Sequence, residues 1–135
     1  MDKRRRVAVE RLQEVAAEDL AAARVCLRAQ PALVRIAAFH AQQAAEKQLK
    51  AWLTALGDPE PPLIHNLTQL ADMIAARGGG TLPPGPLDFL TRFAVGPRYG
   101  LGHLTIADAE SALAEAEQIA DAATRAVAWL TGDDA

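Results

Sequence analysis

The stretch "FHAQQAAEKQLKAWL", residues 39–53, decides how this chain folds. Its periodicity is helical, yet its apolar residues do not keep to one side. Leu33, Val34, Ala37, Ala41, Ala44, Ala45, Leu49, Trp52 and Leu56 spread around the circumference, the pattern of a helix covered on most of its faces. Against that background His40, Gln43 and Lys47 share one narrow stripe, because offsets of three and seven residues return to the same helical face, and Glu46 and Lys50 flank it. A polar stripe on a covered helix must be paired or wet. Two readings of it stand. In one, His40 and Gln43 are satisfied by neighbouring helices, with Glu46 and Lys50 at the rim. In the other, the stripe lines a cleft or a dimer interface that contacts nucleotide phosphate.

Working outward, apolar residues at Val9, Leu12, Val15 or Ala16, Leu20, Ala23 and Leu27 recur at three- and four-residue steps, so a first amphipathic helix is predicted from about Arg5 to Ala29. Pro31 breaks it and suits the first turn of the second helix, which runs to Leu56 and stops at Gly57. "GDPEPPLIHN", residues 57–66, is a proline-rich connector. A short helix follows from His65 or Asn66 to "RGGG" at 77–80, then the loop "TLPPGP" and another short helix over Leu87–Ala94. Thr105 with Asp108 has the Ser/Thr-x-x-acid form of a capping box. The last helix then carries Ile106, Ala109, Leu113, Ala116, Ala120, Ala123, Val127 and Leu130 at core spacing, with "GDDA" as a frayed tail. The prediction is one all-α domain over residues 1–131, an up-and-down bundle of four to five helices, with 132–135 disordered.

Composition agrees. The chain has 135 residues, half of them apolar but only 4% aromatic, and its Ala and Leu are strong helix formers without β-branching. One hydrophobic core is feasible at this length. The formal net charge of −3 provides no global field to gather nucleic acid. The run "KRRR", Lys3 to Arg6, reads as a solvated terminal block and receives no function. A single cysteine, Cys26, excludes an internal disulfide and reads as a small buried hydrophobe in a reducing compartment. With no apolar run of membrane-spanning length and no signal-peptide core, the expected location is the cytoplasm. Motifs for dinucleotides, phosphate loops and cysteine-based metal sites are missing, so neither cofactor nor metal is expected.

"FHAQQAAEKQLKAWL" followed by "PPLIHNLTQL" resembles the HEPN domain, whose second helix carries His-Ala-Gln-Gln-Ala-Ala-Glu-Lys-x-x-Lys-Ala and whose next helix begins Thr-His-Asp-Leu. Ile64-His65-Asn66-Leu67 stands in the latter place, and "PRYG", residues 97–100, where one branch has Ala-Arg-Tyr-Pro before the final helix. The resemblance implies a bundle that commonly forms a homodimer, often encoded beside a minimal nucleotidyltransferase, the two acting as toxin and antitoxin in some systems. It also implies a site. HEPN ribonucleases carry an Arg, four to six residues and a His, and "RYGLGH" has that spacing from Arg98 to His103.

RNA can be cut without metal when its 2′-hydroxyl attacks the adjacent phosphate. A histidine can move the proton at neutral pH, and a guanidinium can clamp the phosphate oxygens. In that reading Arg98 and His103 are catalytic at a dimer cleft, while His40, Gln43, Lys47 and the Tyr99 hydroxyl contact substrate. The other reading makes residues 96–105 a connecting loop in which Arg98 binds a carboxylate or helix end, His103 is solvated and Tyr99 packs. The protein is then a non-catalytic nucleotide- or partner-binding module.

Overall fold

The structure, a computed structural model, describes residues 1–58, 63–82, 84–91 and 103–132. Five helices occupy them: α1 (Lys3–Arg28), α2 (Val34–Ala55), α3 (Leu67–Ala76), α4 (Pro84–Thr91) and α5 (Ile106–Thr131), and the described residues contain no strand.

Local chemistry sets the helix starts. Asp2 Oδ1 accepts the Arg5 amide at 2.7 Å, and Asn66 Oδ1 accepts that of Gln69 at 3.2 Å. At α5 the capping box is complete: Thr105 Oγ1 accepts the Asp108 amide at 3.1 Å, and Asp108 Oδ2 accepts the Thr105 amide at 3.0 Å. Such caps satisfy amides that have no partner within the helix. Gly132 closes α5 with φ of 78°, a left-handed value that other residues reach at a cost.

Two starts differ from expectation. Helix α2 begins at Val34 rather than Pro31, because the Leu33 amide donates to Cys26 O at 2.9 Å and closes the connection back onto α1. Helix α4 begins at Pro84 rather than Leu87. Prolines suit a first turn, whose amides need no helical acceptor.

Helix α2 is the centre of the bundle, packed along α1 and α5, with α3 and α4 completing its cover. Ala37, Ala38, Ala41, Ala44, Ala45, Ala51 and Ala55 are buried on it, and their small side chains let its neighbours approach closely. Leu49 and Leu53 of α2, Leu67, Leu70 and Ile74 of α3, and Leu87 and Leu90 of α4 provide the bulk of the core. Each such side chain contributes about 1.5–3 kcal/mol by leaving water. On α1 it is Ala16, not Val15, that faces inward. Leu33, Ile106 and Leu130 are exposed despite their core spacing, since they lie at helix ends beyond the reach of the neighbours. Cys26 is partly buried with a free thiol.

Helix α5 runs antiparallel to α1. Arg6 Nη2 donates to Thr131 O at 3.3 Å near one end, and Arg24 Nη2 pairs with Glu117 Oε2 at 2.8 Å further along. This direction puts His103, just before α5, at the end of the bundle where α2 begins.

Candidate functional site

The polar stripe of α2 resolves into two carboxylate-centred clusters. In the first, Asp19 of α1 reaches between His40 and Lys47, seven residues apart on α2. Its Oδ1 lies 3.0 Å from His40 Nδ1 and its Oδ2 accepts from Lys47 Nζ at 2.6 Å. The carboxylate is 12% exposed and the lysine 24%, so the pair is better shielded from water and salt than a surface bridge. The Phe39 ring meets the His40 ring edge-on, with centroids 5.6 Å apart.

In the second cluster, Glu46 is at the centre. Lys50 Nζ donates to its Oε2 at 3.0 Å, while Oε1 faces His65 Nδ1 at 2.9 Å and accepts from Gln42 Nε2 at 3.2 Å. Gln42 Nε2 also reaches His65 O at 3.3 Å, and Gln43 Nε2 donates to Gln42 Oε1 at 2.7 Å. Burial pushes the Glu46 carboxyl upward, but hydrogen bonds from His65, Lys50 and Gln42, with the Lys50 charge, outweigh it and hold the group below 4.5. Glu46 and Lys50 are thus buried, with side chains 5% and 10% exposed, and do not sit at a rim.

This cluster fastens the segment ahead of α3 to α2. Thr91 adds a second tie, its Oγ1 donating to Leu87 O at 2.8 Å and accepting the Leu67 amide at 3.0 Å.

His103 is in a different situation. It is exposed and makes no hydrogen bond or ion pair among the described residues. It borders an open groove of about 460 Å³ whose other walls are residues 32–36 and Leu104. The groove therefore sets His103 beside Arg35 and the start of α2, a helix end that no side chain among the described residues caps. Arg98 and Tyr99 lie outside the described residues.

Of the predicted site residues, the structure brings His40 and Lys47 together on Asp19, links Gln43 to Gln42, and places His103 apart from all three. One contributor, Asp19, and one pairing, Glu46 with His65, escaped the sequence reading. Asp19 sits among the core-facing positions Ala16, Leu20 and Ala23, and an acid there is the signal that could have found the partner of His40 and Lys47. Glu46 and His65 are far apart in sequence, and only their shared packing on α2 reveals the pair. Among the described residues no group of His, Cys, Asp or Glu could hold a metal ion, and no helix is long and apolar enough to cross a membrane.

A family model described as HEPN domain matches residues 9–126. No curated protein and no solved structure gives a significant match.

Proposed function

The chain belongs to the HEPN-domain family, and from that premise we propose that it is a metal-independent endoribonuclease, the toxin-like member of a pair with a minimal nucleotidyltransferase. One observation carries the catalytic part. The chain has three histidines, and two are held by carboxylates, His40 by Asp19 and His65 by Glu46. His103 alone among the described residues keeps its ring without such a partner, exposed at a groove. A ring that must take and return a proton needs that freedom.

In the proposed reaction the 2′-oxygen attacks the neighbouring phosphorus and the bond to the 5′-oxygen breaks, leaving a cyclic phosphate and a 5′-hydroxyl. One proton leaves the 2′-hydroxyl and one reaches the departing oxygen. Two copies of His103 in a homodimer divide these tasks, and Arg98 neutralises the charge gained by the phosphate. Leu33 and Ile36, exposed on the groove wall, give a second copy an apolar surface to cover. His40, Gln43 and Lys47 act here as positioning residues. Asp19 holds His40 and Lys47 and so fixes α2 against α1, while Gln43 is held by Gln42 of its own helix.

The decisive experiment is cleavage of a mixed RNA by wild type, Arg98→Ala and His103→Ala in excess EDTA. Cutting by wild type alone supports the nuclease reading; cutting that survives either substitution rejects it. Intact RNA in every lane, with a melting temperature raised by nucleotide or by the nucleotidyltransferase, supports instead a binding module at the same groove.

A further inference from the structure

Asp19 and Glu46 each hold one histidine and one lysine, but the two histidines are not equally open. The His40 side chain is 31% exposed, with the Phe39 ring edge-on against it, whereas that of His65 is 60% exposed. His65 is thus fixed and accessible at once. Its Nδ1 lies 2.9 Å from Glu46 Oε1 and its carbonyl accepts from Gln42 Nε2 at 3.3 Å, so ring and backbone are both tied to α2. Although burial raises the Glu46 carboxyl, hydrogen bonds from His65, Lys50 and Gln42 keep it ionised. An ionised oxygen only accepts, so Nδ1 carries the proton of the neutral ring and Nε2 keeps its lone pair. Nε2 has no partner among the described residues.

From this geometry we propose that His65 is a phosphoryl-acceptor site, where Nε2 takes the phosphoryl group of a small acyl phosphate. A ring that shuttles protons must change partners, but one that accepts a group needs a single tautomer and a fixed direction. Glu46 supplies both. In the step, Nε2 attacks phosphorus and the N–P bond forms, while the bond from phosphorus to the acyl oxygen breaks and the carboxylate leaves with the electron pair. The proton stays on Nδ1, and the positive charge gained by the ring faces Glu46 Oε1.

The surroundings admit the anion. Lys50 Nζ, 3.0 Å from Glu46 Oε2, balances the carboxylate that would otherwise repel an incoming phosphate. His65 also directly precedes Asn66, the N-cap of α3, and the positive end of a helix favours negative charge. The other two histidines each lack one requirement. His103 is exposed but has no carboxylate on its ring among the described residues, and His40 has the carboxylate but less access. The site stands apart from the cleavage reading, because the groove that His103 borders has its other walls in residues 32–36 and Leu104.

The test incubates the full chain with acetyl phosphate at about pH 8, where an ordinary histidine ring is neutral, and follows the gain of phosphoryl mass under alkaline conditions that preserve an N–P bond. Peptide mapping should place the label on His65, about tenfold faster than on His103, since a hydrogen bond to a charged group is worth at least that factor. His40 should trail His65 for want of access. Phosphorus NMR should show the linkage at Nε2, and in urea the preference for His65 should vanish. In Glu46→Gln/Lys50→Met, which removes the carboxylate without stranding a charge, labelling of His65 should slow about tenfold. The wild-type position and linkage decide the matter even if that variant fails to fold. No label, faster labelling of His103 or His40, linkage through Nδ1, or a folded double variant that labels His65 at the wild-type rate would overturn the proposal. RNA plays no part in the readout, so failure here and failure of cleavage at His103 are separate results.

Discussion

Replacing Lys50 by Met tests the Glu46 cluster at its centre. Methionine keeps an unbranched stem of similar shape but removes the ammonium 3.0 Å from Glu46 Oε2. The carboxylate, 5% exposed, then remains buried with only His65 and Gln42 as donors. Removing one partner of a buried pair costs about 3–5 kcal/mol, and the two surviving donors place this case near 3. Unfolding a chain of 135 residues carries an entropy of about 0.28 kcal/mol per kelvin, so the melting temperature should fall by about 10 °C near neutral pH. The loss should also depend on pH. In the wild type the folded Glu46 carboxyl titrates below the unfolded value of 4.5, since burial, which raises it, is outweighed by His65, Lys50 and Gln42. The cluster's contribution is therefore complete above that value and disappears as pH falls through the folded one. Lys50→Met weakens the lowering, so the gap between the two melting curves should narrow in acid. Glu46→Gln/Lys50→Met, with no stranded charge, should melt above Lys50→Met. Thermal melts followed by far-UV circular dichroism from neutral to acidic pH would refute this reasoning if Lys50→Met melts within about 3 °C of wild type at neutral pH, or if the gap ignores pH.

Two further substitutions probe the packing of α2. Asp19→Asn keeps the shape of the side chain but removes the charge that His40 and Lys47 approach at 3.0 and 2.6 Å; a loss of about 2 kcal/mol is expected, seen as a melting temperature about 7 °C lower, and an unchanged value would mean that both side chains find other partners. Gly79→Ala would place a methyl 2.6 Å from Ile74 Cγ2, 2.8 Å from Leu56 Cδ1 and 3.0 Å from the Ile74 carbonyl. The side chains can turn away but the carbonyl is fixed in α3, so urea denaturation should register a loss of about 1–3 kcal/mol, and an unshifted midpoint would show that Leu56 and Ile74 repack freely.

Much of the bundle was legible because its signals are local. Apolar spacing located α1 and α5, proline, glycine and capping signals bracketed α3 and α4, and Thr105 with Asp108 marked the start of α5 through a contact spanning three residues. The start of α2 was not legible in the same way. Its position depends on where the Leu33 amide goes, and the acceptor is a carbonyl of the preceding helix. The exposed Leu130 and Ile106 illustrate the same limit, since periodicity identifies a face but not how far along a helix the neighbours extend. For the candidate site, the stripe of His40, Gln43 and Lys47 was visible as a face of α2, whereas its partners were not. Asp19 comes from another helix, and the burial of Glu46 and Lys50 follows from cover that charge alone would not suggest.

These contacts also change what the stripe can contribute to chemistry. For Lys47 to hold a phosphate it must leave a carboxylate at 2.6 Å, and for His40 to turn toward substrate it must give up the same group at 3.0 Å. Removing either side chain leaves Asp19 short of a partner in a mostly buried place, which penalises the exchange. The stripe is thus better placed to hold α2 than to follow a reacting substrate. What α2 then presents is its own first turn, with Arg35 on the wall of the groove that His103 borders. A site there needs a fixed floor and a free ring. The carboxylate ties of His40 and His65 provide the first, and His103, without such a tie among the described residues, provides the second.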